Sequence, residues 1–197
     1  IKDAEASGEL QNVNLDWKEK VSPLAALPVP GAWFDANQLS FKVNANLIQV
    51  NFNSLDPEMP AVSNLTGVLS SNQDQGSFSL NSDHLKITIE QFLNDPHIAL
   101  DQATGNIDWI KQKNGWQINA KQLSLTNSEL TTNLSLNYLL SPPKIADQMT
   151  LDMTIDQAQL KSVHKYLPVG INLEVRQYLS QAFGKGLIQN GRLHIKG

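Results

Sequence analysis

The sequence predicts a mainly β protein whose strands are antiparallel, with two short helices near the C-terminal end. Two observations predict this fold class. Apolar and polar residues alternate in several runs, as they do in strands that bury one face. Turn residues such as the Asn114-Gly115 pair separate the runs, and this pair is typical of a tight β-hairpin.

Three of the alternating runs define a candidate apolar surface. Alternate residues of a strand project to the same face of a sheet. In an antiparallel sheet, neighbouring strands align these faces, so we expect one continuous apolar stripe. The residues of the stripe are Leu85, Ile87, Ile89, Leu134, Leu136, Tyr138, Leu151, Met153 and Ile155.

The alternation changes phase between Phe41 and Phe52. Apolar residues occupy odd positions up to Leu47 and even positions from Ile48 onward. A β-bulge or a tight bend near Leu47 would reconcile the two phases, because a bulge adds one residue to one strand. A change in which face of the strand is covered would also explain the shift.

Short sequence matches indicate internal repetition. Ala36–Phe41 and Ala120–Leu125 share the pattern Ala-x-Gln-Leu-Ser-apolar. A second pattern occurs at Ala6–Leu10, Leu65–Leu69 and Ala103–Ile107. It consists of a small residue or Leu, a Ser or Thr, a Gly, any residue and an aliphatic residue. A sheet built from repeats grows by stacking one supersecondary unit on the next.

Helical spacing of apolar residues is confined to the C-terminal quarter. A first helix is predicted from Leu160, and Pro168 ends it. A second is predicted over Asn172–Phe183, with Gly184 as the residue that follows its end. Its apolar face is expected to pack on the sheet as a lid or plug, and comprises Leu173, Tyr178, Leu179 and Phe183.

Composition excludes several classes of function. A net charge of −4 and a pI of about 5.5 argue against a nucleic-acid partner, which requires a basic surface. The absence of cysteine excludes disulfides, thiolate metal sites and cysteine nucleophiles. None of the four histidines lies within four residues of another. No catalytic residue, metal site or cofactor is therefore predicted.

The C-terminal stretch carries a more specific signal. Val163–Pro168 ends in Tyr-Leu-Pro, Arg176–Leu179 reads Arg-Gln-Tyr-Leu, and Gly191–Gly197 reads Gly-Arg-Leu-His-Ile-Lys-Gly. These motifs resemble the central domain of YhdP-type proteins in the AsmA-like clan. The resemblance is specific over residues 156–197, a helix-helix-strand segment. It is generic over residues 1–155, which we expect to form the repeating β-groove segment of the same domain.

The resemblance implies a curved, U-shaped β-groove in a non-enzymatic protein of the periplasm of Gram-negative bacteria. YhdP-type proteins are similar to bridge-like lipid carriers, so the implied ligand is phospholipid moving between inner and outer membrane in outer-membrane biogenesis. It also implies an inner-membrane anchor, through an N-terminal helix that we expect outside this fragment, and partner proteins at the outer membrane or in the periplasm. The alternative is a ligand-free scaffold or adhesion module with a closed, dry core.

Overall fold

The computed structural model contains a single antiparallel sheet of eleven strands. The structure describes residues 5–19, 39–53, 60–89, 95–142, 146–166, 174, 177–178 and 184–197. The strands are β1 (Glu5–Glu19), β2 (Leu39–Asn53), β3 (Ala61–Asn72), β4 (Gln75–Asp83), β5 (Lys86–Thr88), β6 (His97–Ala99), β7 (Gln102–Gln112), β8 (Gly115–Thr126), β9 (Leu130–Leu140), β10 (Gln148–Gln159) and β11 (Leu187–Lys196). A 3₁₀ helix, Leu160–Tyr166, follows β10.

The strands pair in chain order. The main path runs β1-β2-β3-β4-β7-β8-β9-β10-β11, and every adjacent pair is antiparallel. Within the described residues β1 and β11 each pair on one side only, so the sheet is open, and it is curved. The predicted mainly β, antiparallel fold class is confirmed.

Strands β5 and β6 continue the hairpin of β4 and β7 beyond a kink. The His84 amide donates to the Asp101 carbonyl at 2.9 Å, and the Leu100 amide donates to the Leu85 carbonyl at 2.9 Å. His84 has a φ of 54°, in the left-handed region. Leu80 and Leu85 have opposite parity but share one buried cluster. Before the kink the even-numbered residues point toward this cluster, and after the kink the odd-numbered residues do.

The register places apolar side chains of neighbouring strands opposite one another. Met153 of β10 faces Leu134 of β9 and Leu193 of β11, and Leu151 faces Leu136. Directly opposed residues of antiparallel strands project to the same face. A continuous apolar face therefore crosses the sheet. One row of it consists of Leu80, Gly105, Leu123, Leu134, Met153 and Leu193.

The phase change in β2 is a β-bulge, as one of the two sequence interpretations predicts. The register between β2 and β3 shifts between Leu47 and Val50. Gln49, inside the shift, has a φ of 49°. Leu47 lies opposite Gly67 and Val50 lies opposite Leu65. Because Gly67 and Leu65 are two residues apart, Leu47 and Val50 project to the same face. The bulge therefore keeps the apolar residues of β2 on the apolar face.

Two bulges are paired with a glycine on the neighbouring strand. Gly8 of β1 lies against Gln49–Val50, and Gly105 of β7 lies against Gln122–Leu123. A Cβ on Gly8 would approach the Val50 Cα to 2.6 Å, and one on Gly105 would approach the Leu123 Cα to 2.8 Å. Both glycines have a φ between 130° and 142°. A recurring unit therefore consists of a glycine opposite a left-handed glutamine.

The glutamine in this unit is not the one that the match between Ala36–Phe41 and Ala120–Leu125 aligns with Gln122. The match aligns Gln122 with Gln38, which lies outside the described residues. In the structure the counterpart of Gln122 is Gln49, since both are left-handed bulge residues opposite a glycine. Of the three glycine motifs, those at Ala6–Leu10 and Ala103–Ile107 share this arrangement. The third, Leu65–Leu69, does not, because Gly67 has no left-handed φ and lies against Ser79 and Phe78.

The predicted first helix is present as the 3₁₀ helix Leu160–Tyr166. In the predicted second helix, Glu174, Gln177 and Tyr178 have helical conformation. Tyr178 is 69% exposed. The other three residues of the predicted lid face, Leu173, Leu179 and Phe183, lie outside the described residues.

We predict that Gly105→Ala destabilises the fold by about 1–3 kcal/mol, because the new Cβ meets the β8 bulge and the left-handed φ strains an L side chain. Urea denaturation would measure the change. Gly184→Ala is the matched control, since a Cβ there has no atom within 4 Å. Equal stability of the two variants would contradict the structural role of the glycine–bulge pair.

Candidate functional site: an apolar groove

An apolar cavity of about 320 Å³ lies on the apolar face, between the sheet and the 3₁₀ helix. Strands β6, β8, β9, β10 and β11 contribute to its wall. The polar side chains in the lining are Glu129, Thr132, Gln159 and Tyr166. All the other lining residues are aliphatic or Met: Ile98, Leu100, Leu125, Leu130, Leu134, Met153, Ile155, Ala158, Val163, Ile188 and Leu193.

The polar group deepest in this wall is satisfied internally. Thr132 is fully buried, and its hydroxyl donates to the Thr154 carbonyl at 2.8 Å. A buried hydroxyl without a partner would be costly. Because its hydrogen bond is made to the neighbouring strand, Thr132 adds no free donor to the cavity.

The structure brings six of the predicted stripe residues together on β9 and β10. Leu134, Met153 and Ile155 line the cavity. Leu136 and Leu151 face each other one position further along. Tyr138 follows on β9, opposite Met149. These six side chains form the part of the apolar face that the sequence locates by alternation.

The other three predicted residues belong to a neighbouring cluster. Leu85 is only 2% exposed and packs with Leu80, Leu100 and Ala103, while Ile87 is partly buried against them. Ile89 is half-buried beyond β5. Leu100 belongs to this cluster and also lines the cavity. The cluster and the cavity are therefore continuous.

Several cavity residues were missed by the sequence reasoning. Ile98 and Leu100 lie on or beside β6, which has only three residues, too few for an alternation to be visible. Ile188 and Leu193 lie in β11, where Gly191 interrupts the run. A signal was present in β8, where Leu123 and Leu125 alternate with polar residues.

The apolar face is least covered at β1. Leu10, Val13, Leu15 and Trp17 are each more than half exposed, between 52% and 58%. Soluble proteins rarely expose large contiguous apolar patches without a binding role. The apolar face therefore runs from a covered cavity near β10 to an uncovered margin at β1.

A family model described as YhdP protein matches residues 1–197, the whole chain. The chain belongs to the YhdP family. Searches of curated proteins and of solved structures found no match. Family membership suggests an AsmA-like, lipid-transport role in the bacterial envelope, and confirms the resemblance that the C-terminal motifs indicate.

In this YhdP-family chain, one carboxylate organises the polar edge of the cavity. Glu129, in the turn between β8 and β9, accepts from Lys165 Nζ at 2.7 and 3.0 Å. This hydrogen bond is the main cause that lowers the pKa of Glu129 and raises the pKa of Lys165. Burial is the main cause that raises the pKa of the neighbouring Tyr166. The charged pair therefore ties the 3₁₀ helix to the sheet.

A second polar contact lies at the opposite end of β9. The Tyr138 hydroxyl donates to one Asp147 oxygen, and the Ser141 amide donates to the other at 2.8 Å. The hydrogen bond to Asp147 raises the pKa of Tyr138 to about 12, with burial and the negative charge as further causes. The same hydrogen bond lowers the pKa of Asp147. Tyr138 therefore presents its ring on the apolar face and anchors its hydroxyl at the rim.

The face opposite the cavity is polar. Gln117 and Asn119 hydrogen-bond to Asn137 across β8 and β9, both at 2.8 Å. His194 Nδ1 lies 2.7 Å from Asp152 Oδ1, and both side chains are well exposed. Among the described residues, no group of three or more His, Asp or Glu side chains could hold a metal. No described helix is long and apolar enough to span a membrane.

We predict that Tyr138 ionises near pH 12 in the folded protein and that Asp147→Asn moves this ionisation toward the ordinary value of about 10. Because the pKa is higher in the folded state, the contact stabilises the fold below about pH 10 and is lost as the pH rises toward 12. Ultraviolet absorbance of the phenolate would follow the ionisation, with Tyr138→Phe identifying its signal. An unchanged ionisation in Asp147→Asn would contradict the assignment.

Proposed function

We propose that the apolar face binds the acyl chains of phospholipid and forms one segment of a non-enzymatic path between the inner and outer membranes. The path lies in the periplasm of a Gram-negative bacterium. The full-length protein is anchored in the inner membrane by an N-terminal helix that lies outside this stretch. Partner proteins meet it at the outer membrane or in the periplasm.

The observation that carries this proposal is the uncovered apolar face. Nine strands contribute to it through their register. In the described residues, the helical element that packs on its cavity is the seven-residue 3₁₀ helix. An acyl chain gains about 0.8 kcal/mol for each methylene that it buries. It also needs no hydrogen bonds, which suits a lining with few polar groups.

The expected ligand path uses the predicted stripe. Leu134, Met153 and Ile155 supply its cavity portion, and Leu136, Tyr138 and Leu151 continue it along β9 and β10. The cluster that contains Leu85 and Ile87, with Ile89 beyond it, forms its wall on the β5 side. The predicted helix over residues 172–183 would cover the path as a lid or plug.

A closed, dry sandwich is less consistent with the geometry. A sandwich requires two sheets packed face to face. The described strands form one sheet, and its edge strands β1 and β11 do not pair with each other. The apolar side chains at β1 are also more than half exposed. The open face supports a binding role over that of a ligand-free scaffold.

We predict that Leu136→Glu in the full-length protein abolishes phospholipid binding, while the protein still accumulates. The substitution places an unpaired charge on the apolar face, which is costly in an apolar medium. Ser135→Glu is the matched control, because Ser135 is exposed on the opposite face of the same strand. Mass spectrometry of lipid extracted from the two purified variants would measure binding.

Photo-crosslinking residues at positions 135 and 136 provide an independent readout. Position 136 should capture phospholipid in cells and position 135 should not. Equal capture at both positions, or capture at neither, would contradict the groove assignment. Loss of envelope function in Ser135→Glu as severe as in Leu136→Glu would also contradict it.

A further inference from the structure

We infer that the 3₁₀ helix Leu160–Tyr166 is a lid over one end of the apolar cavity, latched to the sheet by the Glu129 carboxylate. The inference rests on the proposed function only for the identity of the ligand, an acyl chain. The predicted lid over residues 172–183 is a separate segment. The latched lid consists of residues that the structure places directly against the cavity.

The 3₁₀ helix closes the cavity with two side chains. Val163 and Tyr166 line the cavity from this helix, and both are half-buried. Its first residue is fixed, because the Leu160 amide donates to the Gly186 carbonyl at 3.0 Å. The segment therefore has an anchored beginning at the end of β10, and its later residues cover the cavity.

Polar contacts with one turn of the sheet also hold those later residues. Glu129 accepts from Lys165 at 2.7 Å and from Tyr166 at 3.5 Å. The Asn127 amide group donates to the Tyr166 hydroxyl at 3.0 Å. A single carboxylate thus accepts hydrogen bonds from two residues of the 3₁₀ helix, Lys165 and Tyr166.

The Glu129 side chain is well positioned for this role. The Asn127 side-chain carbonyl accepts from the amides of Glu129 and Leu130 at 2.9 and 2.8 Å. Asn127 also donates to the Ala99 carbonyl at 2.8 Å, which ties the turn to β6. The turn that carries the latch is therefore rigidly attached to the cavity wall.

The strength of the latch suits reversible opening. The Lys165 and Glu129 side chains are 39% and 23% exposed, and ion pairs with such access to water are weak. Short 3₁₀ helices have poorer hydrogen-bond geometry than α-helices. With only two side chains in the cavity, the lid depends on the latch. Its opening would give an acyl chain access to the cavity from the end nearest β6 and β11.

Hydrogen exchange of the full-length protein tests the lid directly. Lys165→Met and Glu129→Gln should each raise the exchange rate of the amides of residues 160–166 by about five- to tenfold, as expected for loss of charge-assisted hydrogen bonds. The amides of β9 and β10 should keep their wild-type rates. Lys113→Met is the matched control, since Lys113 is exposed in the turn between β7 and β8.

A dansyl-labelled fatty acid tests the consequence for access. Both latch variants should bind and release this probe faster than the wild type. Lys165→Met, whose side chain does not line the cavity, should change both rates by a similar factor and keep a nearly unchanged Kd. The lid assignment would be overturned if the amides of residues 160–166 exchanged at the wild-type rate in both variants. It would also be overturned if the amides throughout β9 and β10 exchanged faster. Faster exchange with unchanged probe kinetics would overturn its role in access. If neither the wild type nor the variants bind the probe, while the 160–166 amides of the variants exchange faster, the proposed function fails and the lid assignment stands.

Discussion

Each strand of this sheet has to keep its apolar side chains on the same face as those of both neighbours. A slip of one residue would move the whole set of a strand to the polar face. Leu134, Met153 and Leu193 satisfy the constraint by direct opposition across three strands. Gln49 and Gln122 satisfy it by bulging, since each extra residue restores the parity that the sequence would otherwise lose.

The bulges also account for the shape of the sheet. A bulge bends its strand and increases the local twist, and curved sheets depend on such features. Gly8 and Gly105 allow the bulged strand to approach closely, because a Cβ at either position would collide with it. Curvature and a one-sided apolar face together produce a trough. The elements that keep the register correct are therefore the ones that shape the proposed binding surface.

Local sequence patterns predicted the features that depend on the two-residue alternation of side chains along a strand. The alternation in β9 and β10 located Leu134, Leu136 and Met153 on one face, and the phase change near Leu47 located a bulge. The kink at His84 was not predicted, although the apolar residues change there from even positions, Phe78 and Leu80, to odd positions, Leu85 and Ile87. The match of Gln122 with Gln38 did not identify Gln49, which the structure makes equivalent to Gln122. A bulge is positioned by the glycine on the adjacent strand, and a short motif does not contain that information.

Stability and an accessible groove make opposing demands on this fold. A second layer on the apolar face would stabilise the sheet and would also fill the groove. The chain instead concentrates its burial in the cluster of Leu80, Leu85, Leu100 and Ala103, which are at most 7% exposed. That cluster lies beside the cavity and shares Leu100 with it. A well-packed wall therefore supports the proposed binding surface, which remains largely exposed at β1. The 3₁₀ helix covers one end of the cavity with only two side chains, Val163 and Tyr166. Because so little apolar surface is buried there, the charged contact of Glu129 with Lys165 can hold this cover without closing the cavity permanently.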